Sequence, residues 1–227
     1  MDRSRIINIL RQCPDFGFVT PQTLEYLADG SRLINVKAGE LIWRVGDPDK
    51  EVFVPPNGAL IRVGRHHHDG TYINTGLIFQ GYLFGEVGTF GGTGTRYNEA
   101  EALTACEIVQ ISGTRFLEFV STTPMAKDYW LMASNVRRLM SIKQIYALSR
   151  RSALERMRGA VSLLLEFTPM PSAGRAKLPL TQEVLGRIVD LSRPTSNKVL
   201  RAWQRAGVID IQVQEIFVIQ PEYFQDR

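Results

Sequence analysis

The chain has 227 residues, of which 44% are apolar and 22% charged. That length suits one large domain or two smaller ones, and the composition is globular, which excludes a disordered chain or a continuous coiled coil. The formal net charge of +4 permits an acidic partner such as nucleic acid without requiring one.

Two cysteines, Cys13 and Cys106, are too few for a disulfide framework or an iron–sulfur cluster and read as reduced thiols. The opening residues Met1-Asp2-Arg3-Ser4-Arg5 are not followed by the apolar run of a secretory signal. No stretch has the roughly 18 apolar residues of a membrane span. The expectation is a soluble cytoplasmic protein with no membrane partner.

Residues 1–30 read as short helices. Ile6, Ile7, Ile9 and Leu10 form an apolar patch, and Thr20-Pro21 supplies an N-cap with proline at the first helical position. From 31 to 112 the pattern changes to short strands separated by Gly, Pro and Asp turns, among them Gly46-Asp47-Pro48, Pro55-Pro56-Asn57-Gly58 and Asp69-Gly70. Such spacing predicts a β-barrel or jelly roll with no helix inside it. The last strand is expected over 100–111.

After Ser112 the apolar period becomes helical. Thr123-Pro124 opens a long helix carrying Trp130, Leu131, Met132, Val136, Leu139, Ile142, Ile145 and Leu148, and neither Gly nor Pro interrupts residues 125–157. A helix of that length has to bury its stripe, and a second subunit is the natural cover. Residues 152–167 are a further helical stretch, followed by a loop over 168–174. The organisation expected is an α+β chain: an N-terminal β-roll (jelly-roll-like) sensor domain at 1–123, a long dimerisation helix at 124–150, and a C-terminal winged helix-turn-helix at 151–227.

The run from Leu180 to Trp203 carries the functional argument. Thr181 can cap a first helix whose buried face is Val184, Leu185 and Ile188. Asp190-Leu191 turns the chain, Ser192 caps a second helix, and Pro194 sits in its first turn, where a missing N–H is harmless. Val199, Leu200 and Trp203 bury the second helix. Its other face offers Arg193, Ser196 or Asn197, Lys198, Arg201 and Arg205, with no acid between Ser192 and Ala206. Two short helices joined by a few residues have the helix-turn-helix spacing. Arg can pair with guanine and Asn with adenine, while Lys and Ser suit phosphates, so this helix fits a major groove. Strands over 208–212 and 215–219 form a wing, joined by Val213-Gln214.

The order roll, long helix, winged helix-turn-helix, together with Thr181-Gln182-Glu183-Val184-Leu185-Gly186 and Ser192-Arg193-Pro194-Thr195, resembles the CRP/FNR family of bacterial transcription regulators over nearly the whole chain. The resemblance implies no enzyme. It implies a homodimer that binds double-stranded DNA at a palindromic operator, is controlled allosterically through the roll, and has RNA polymerase as a further partner. It assigns base reading to Arg193 and Lys198 and phosphate contacts to Thr181 and Gln182. Ser192, Thr195, Asn197 and Arg201 complete the expected DNA-binding set. Pro194 stands where the family usually has Glu, which removes one base contact and implies a different half-site.

In the roll, Phe84-Gly85-Glu86-Val87-Gly88 and Arg96 resemble the phosphate cassette of cyclic-nucleotide-binding members. The resemblance implies a cyclic nucleotide effector held by Gly85, Glu86, Val87, Arg96, Tyr97 and Ser141. Tyr97 and Asn98 depart from the small hydroxyl and Ala that usually follow the arginine, and Ile142 replaces a polar residue beside Ser141. The alternatives are a roll that binds something else or nothing, a haem or metal sensor, and a nucleotide-binding module that regulates a protein partner. Gly91-Gly92-Thr93-Gly94 lacks the strand and helix of a dinucleotide loop. His66-His67-His68 beside Asp69-Gly70 reads as a solvated hairpin tip rather than a metal site, because neighbouring strand residues face opposite ways. No metal ligand and no catalytic group is assigned.

Overall fold

The computed structural model describes residues 2–79, 81–91, 94–166, 168, 174–178, 180–213 and 215–225. They divide into two compact units, one of residues 1–65 and 77–140, the other of residues 66–76 and 141–227.

The first unit begins with helices α1 (Asp2–Gln12) and α2 (Pro21–Asp29). Thr20 caps α2, its Oγ1 accepting from Thr23 N at 3.3 Å, so the expected Thr-Pro start holds. The strands β1 (Ser31–Val36), β2 (Leu41–Trp43), β3 (Glu51–Val54), β4 (Ile61–His66) and β5 (Tyr72–Ile78) follow. A short helix α3 (Val87–Gly91) comes next, then β6 (Glu99–Ala102), β7 (Cys106–Ser112) and helix α4 (Gly113–Thr122). The strands form two antiparallel sheets, ordered β1-β7-β3 and β2-β6-β4-β5. This is the roll.

Two expectations needed correction. A helix does occur within 31–112: Gly85 at φ +84 turns the chain, and Phe90 N then donates to Glu86 O at 3.1 Å, closing the turn of α3. Phe90 anchors it with rings 5.6 Å from Phe116 and 5.8 Å from Trp130, a tertiary contact with no local signature. The segment 100–111 is two strands rather than one. Leu103 N bonds Leu60 O at 2.8 Å between them, and the chain passes from one sheet to the other.

The long helix α5 (Pro124–Leu148) spans 25 residues. Its Ala126 and Trp130 join α1, α2, α4 and the sheet in one apolar cluster. A charged hub sits in that cluster. Arg137 donates from Nη2 to Asp15 Oδ2 at 2.6 Å, and from Nη1 to Glu86 Oε1 at 2.7 Å and Leu83 O at 3.0 Å. Asp15 also accepts from Leu83 N and Tyr129 Oη, each at 2.8 Å. Burial works against the Arg137 charge, but Glu86 and Asp15 outweigh it and hold its pKa above the ordinary guanidinium value. Cys13, beside Asp15, is buried, and burial together with that carboxylate pushes its thiol up to about 12. Burial raises Cys106 to about 11. Both cysteines are free.

The second unit contains α6 (Ala153–Leu165), β8 (Ala176–Leu178), α7 (Gln182–Ile188), α8 (Arg193–Arg205), β9 (Ile209–Gln212) and β10 (Glu215–Val218). Ser152 and Glu155 form a reciprocal capping box at the start of α6. The three strands pair in the order β8-β10-β9, which adds β8 to the two-stranded wing expected from sequence. The wing turn at Gln214, the Gly92-Thr93 part of the glycine loop and most of 168–174 lie outside the described residues. Among the described residues, no helix is long and apolar enough to cross a membrane.

Arg137→Ala should destabilise the first unit by about 3–5 kcal/mol in urea unfolding, because it leaves the buried Asp15 and the half-buried Glu86 carboxylates without their cation. A loss under about 1 kcal/mol would show that the hub contributes little to stability.

Candidate nucleic-acid interface

Helix α7 starts at Thr181, whose Oγ1 accepts from Val184 N at 3.3 Å. It ends in a double-bonded turn: Asp190 N reaches Arg187 O at 3.3 Å and Leu191 N reaches Gly186 O at 3.0 Å. This is the Schellman arrangement, which places one residue in the left-handed region. That residue is Asp190, at φ +50, a conformation that glycine usually supplies and that Asp tolerates better than most side chains. The turn therefore follows from backbone bonding, and it swings the chain directly into α8.

Ser192 occupies the N-cap position of α8, and Pro194 lies in its first turn. The Ser192 hydroxyl pairs with Thr195 Oγ1 at 2.9 Å instead of accepting from the backbone. The expected cap is thus present by position but not by side-chain bond. Leu200 and Trp203 are buried, and Trp203 meets Phe224 edge-on at 5.0 Å. Ser196, one of two candidates for the exposed face, is buried instead. Its Oγ donates to Ser192 O or Arg193 O, at 3.2 and 3.1 Å. A Cβ on Gly186 would come within 3.0 Å of that oxygen, so α7 and α8 approach closely at this point.

What remains outward on α8 is Arg193, Lys198, Arg201 and Arg205, all exposed, with Asn197 half-buried among them. The helix carries these four cations and no acid. Thr181, Gln182 and Thr195 are half-buried, and Ser192 is exposed. Beside this surface, the wing is pinned by ion pairs Arg175–Asp210 at 2.7 Å and Lys177–Glu215 at 2.5 Å. Helix α8 thus presents one acid-free, cationic, hydrogen-bonding face on a closely packed two-helix support, which suits phosphates and base edges.

The six effector positions are less coherent. Gly85 and Arg96 come together: Arg96 Nη1 donates to Gly85 O at 2.8 Å and Nη2 to Glu51 O at 2.5 Å. The guanidinium lies 4.2 Å from the Trp43 ring centroid, in a cluster where Trp43 packs on Phe53 and Phe84, and is paired with Asp49 at 2.5 Å. Burial lowers the Arg96 pKa, opposed by Asp49 and its acidic neighbours. Burial likewise raises Asp49, opposed by Arg96. Glu86 is bound to Arg137. Val87 and Tyr97 are exposed, and Tyr97 lies under Arg65, 5.1 Å from its guanidinium carbon. Ser141 belongs to the second unit.

Asp49 was not anticipated. Its place after Gly46-Asp47-Pro48 reads as a turn residue, and nothing local couples it to a residue 47 positions away. His66, His67 and His68 are exposed, and His67 is 3.3 Å from Asp69. Among the described residues, no three His, Cys, Asp or Glu side chains are grouped to hold a metal.

Residues 33–123 match the sequence model of the cyclic nucleotide-binding domain, and residues 160–227 match that of the Crp-like helix-turn-helix domain. The cAMP-activated global transcriptional regulator CRP of Pasteurella multocida is 26% identical over 86% of this chain and 94% of its own. The CRP-like cAMP-activated global transcriptional regulator of Mycobacterium tuberculosis is 22% identical over 96% of this chain and 98% of its own. Among solved structures, the c-di-GMP-responsive global regulator CLP of Xanthomonas campestris superposes with a TM-score of 0.64 at 19% identity, covering 88% of this chain and 99% of that one. The chain belongs to the CRP/FNR family: it is a CRP-like DNA-binding transcription regulator with a cyclic-nucleotide-binding-like sensor domain.

Gly186→Val should destabilise the second unit by about 1–3 kcal/mol in thermal or urea unfolding, because the added atoms meet Ser196 in a closed contact. Helix propensity alone would favour the substitution. A stabilised variant would mean that the two helices separate freely.

Proposed function

We propose that the chain acts as a homodimer whose two α8 helices enter successive major grooves of a palindromic site, with half-sites about one DNA turn apart. The carrying observation is the acid-free cationic face of α8 on its α7 support. Arg193 and Lys198 are the base readers, helped by Asn197 and Arg201. Thr181, Gln182, Ser192 and Thr195 contact backbone phosphates. Pro194 leaves one base position unread by a carboxylate, so the half-site differs there from a site read by Glu.

Dimerisation is supported by the outer face of α5. Met125, Met132, Leu139 and Tyr146 recur every seven residues and are exposed, with Leu131, Val136, Ile142 and Ile145 exposed beside them. A strict seven-residue apolar repeat is the pattern of a helix that packs along a second helix. Since α5 carries residues of both units, a change in the roll can reach the DNA-binding unit along it. RNA polymerase is the further partner expected of such a regulator. The match to a cyclic nucleotide-binding domain supports an anionic nucleotide as the effector class. The engagement of Arg96 by Asp49 and of Glu86 by Arg137 counts against it.

Selection from a random duplex pool should recover a palindrome. On that site, Arg193→Ala should weaken binding about 5–150-fold and relax sequence preference at one position per half-site, an effect of about 1–3 kcal/mol. Unchanged specific binding would remove α8 from the reading role. Binding should also fall steeply with salt, through release of counterions from the duplex.

Leu139→Glu places a charge in the centre of the apolar stripe. Sedimentation should show a dimer for the parent chain and a monomer for the variant, with operator affinity reduced about tenfold or more. A parent chain that sediments as a monomer at micromolar concentration would refute the dimer.

A further inference from the structure

Four segments converge on the Arg96 guanidinium. Asp49 comes from the turn before β3, Gly85 from the turn before α3, Glu51 from β3 itself, and Trp43 from β2. The side chains of Arg96 and Asp49 are only 4% and 7% exposed. The segment carrying Asp49 is laced to the one carrying Arg96 by the backbone: Asp49 N reaches Gly94 O at 3.1 Å, Arg96 N reaches Asp47 O at 2.8 Å, and Gly46 N reaches Arg96 O at 2.9 Å. The two segments that carry the pair are therefore held together by the roll's own backbone hydrogen bonds, and the Asp49 carboxylate meets Arg96 as an ion pair. The carboxylate lies directly on the backbone of α3: a Cβ built at Gly88 would fall 1.5 Å from Asp49 Oδ2. Gly88 is where the chain leaves room for an acid.

One buried guanidinium, over an aromatic ring, with Nη1 and Nη2 each donating to a carbonyl and Nε without a hydrogen-bond partner, calls for one monoanion. A cyclic nucleotide brings one, in its phosphodiester. To reach Arg96 it would have to evict Asp49, whose carboxylate would then be left without its cation against α3 and the aromatic cluster. The other acidic group of the cassette, Glu86, is occupied at 2.7 Å by Arg137.

We propose that Asp49 is the permanent anionic ligand of Arg96 and excludes cyclic nucleotides from the roll, so that this regulator binds DNA without one. The inference rests on the DNA-binding reading above and concerns the regulation of that activity. Asp49 is then a specificity-determining residue: removing its charge turns the site back into one for a small oxyanion or a phosphodiester.

The test uses the full-length protein. Calorimetry with cyclic AMP and cyclic GMP at about 1 mM should show no binding. Operator affinity measured by fluorescence anisotropy should change less than about twofold when either nucleotide is added. Asp49→Ser, which vacates the space, and Asp49→Asn, which keeps the shape without the charge, should acquire measurable affinity for inorganic phosphate or a cyclic nucleotide. Nucleotide binding by the parent chain overturns the proposal. So does a folded Asp49→Ser protein, checked by circular dichroism, that binds neither phosphate nor nucleotide. If neither variant folds, the parent chain decides: binding refutes the proposal and no binding supports it. A parent chain that selects no duplex at all defeats the DNA-binding reading, and leaves the calorimetric result to stand for the roll by itself.

Discussion

Arg137 is the interaction on which the first unit depends. One guanidinium on the long helix satisfies Asp15 after α1, Glu86 at the start of α3, and the Leu83 carbonyl between them. Asp15 cannot lose it cheaply, since its buried carboxylate would be left charged beside an apolar cluster. The hub therefore sets where α5 lies against the roll. That contact face, with Ala126 and Trp130 buried, determines which other face of α5 is left outward. The exposed seven-residue stripe is a consequence of how the inner face is anchored.

The same hub engages Glu86, and Asp49 engages the arginine of the same motif. Two residues of one short motif thus have protein partners, and both serve to hold the roll together. The aromatic cluster of Trp43, Phe53 and Phe84 beside Arg96 adds dispersion and cation–π attraction to the ion pair. In this roll the two charges of the motif are paired with neighbouring side chains.

In the second unit the design is simpler. Backbone bonds fix the turn at Asp190 and a missing side chain at Gly186 lets Ser196 settle against α7. Burial of Leu200 and Trp203 orients α8. Once those inward residues are placed, a helix has no freedom left in where its remaining side chains point. Arg193, Lys198, Arg201 and Arg205 share the outward face because Ser196, Leu200 and Trp203 occupy the inward one.

Much of this was legible in the amino-acid order. Short apolar runs between Gly, Pro and Asp turns specify the roll, an uninterrupted helical period from Pro124 specifies α5, and the caps and spacing from Thr181 to Trp203 specify the two-helix motif, because each depends on local propensity and periodicity. What only the tertiary structure decided is partnership. That Asp49 faces Arg96, that Arg137 joins Asp15 to Glu86, that Phe90 pins a five-residue helix in the roll, and that Ser196 rather than Asn197 turns inward all depend on residues distant in sequence or on the exact helical phase. Periodicity constrains which side of an element is apolar. It carries no information about which charged side chain, dozens of residues away, the folded chain will bring to meet it.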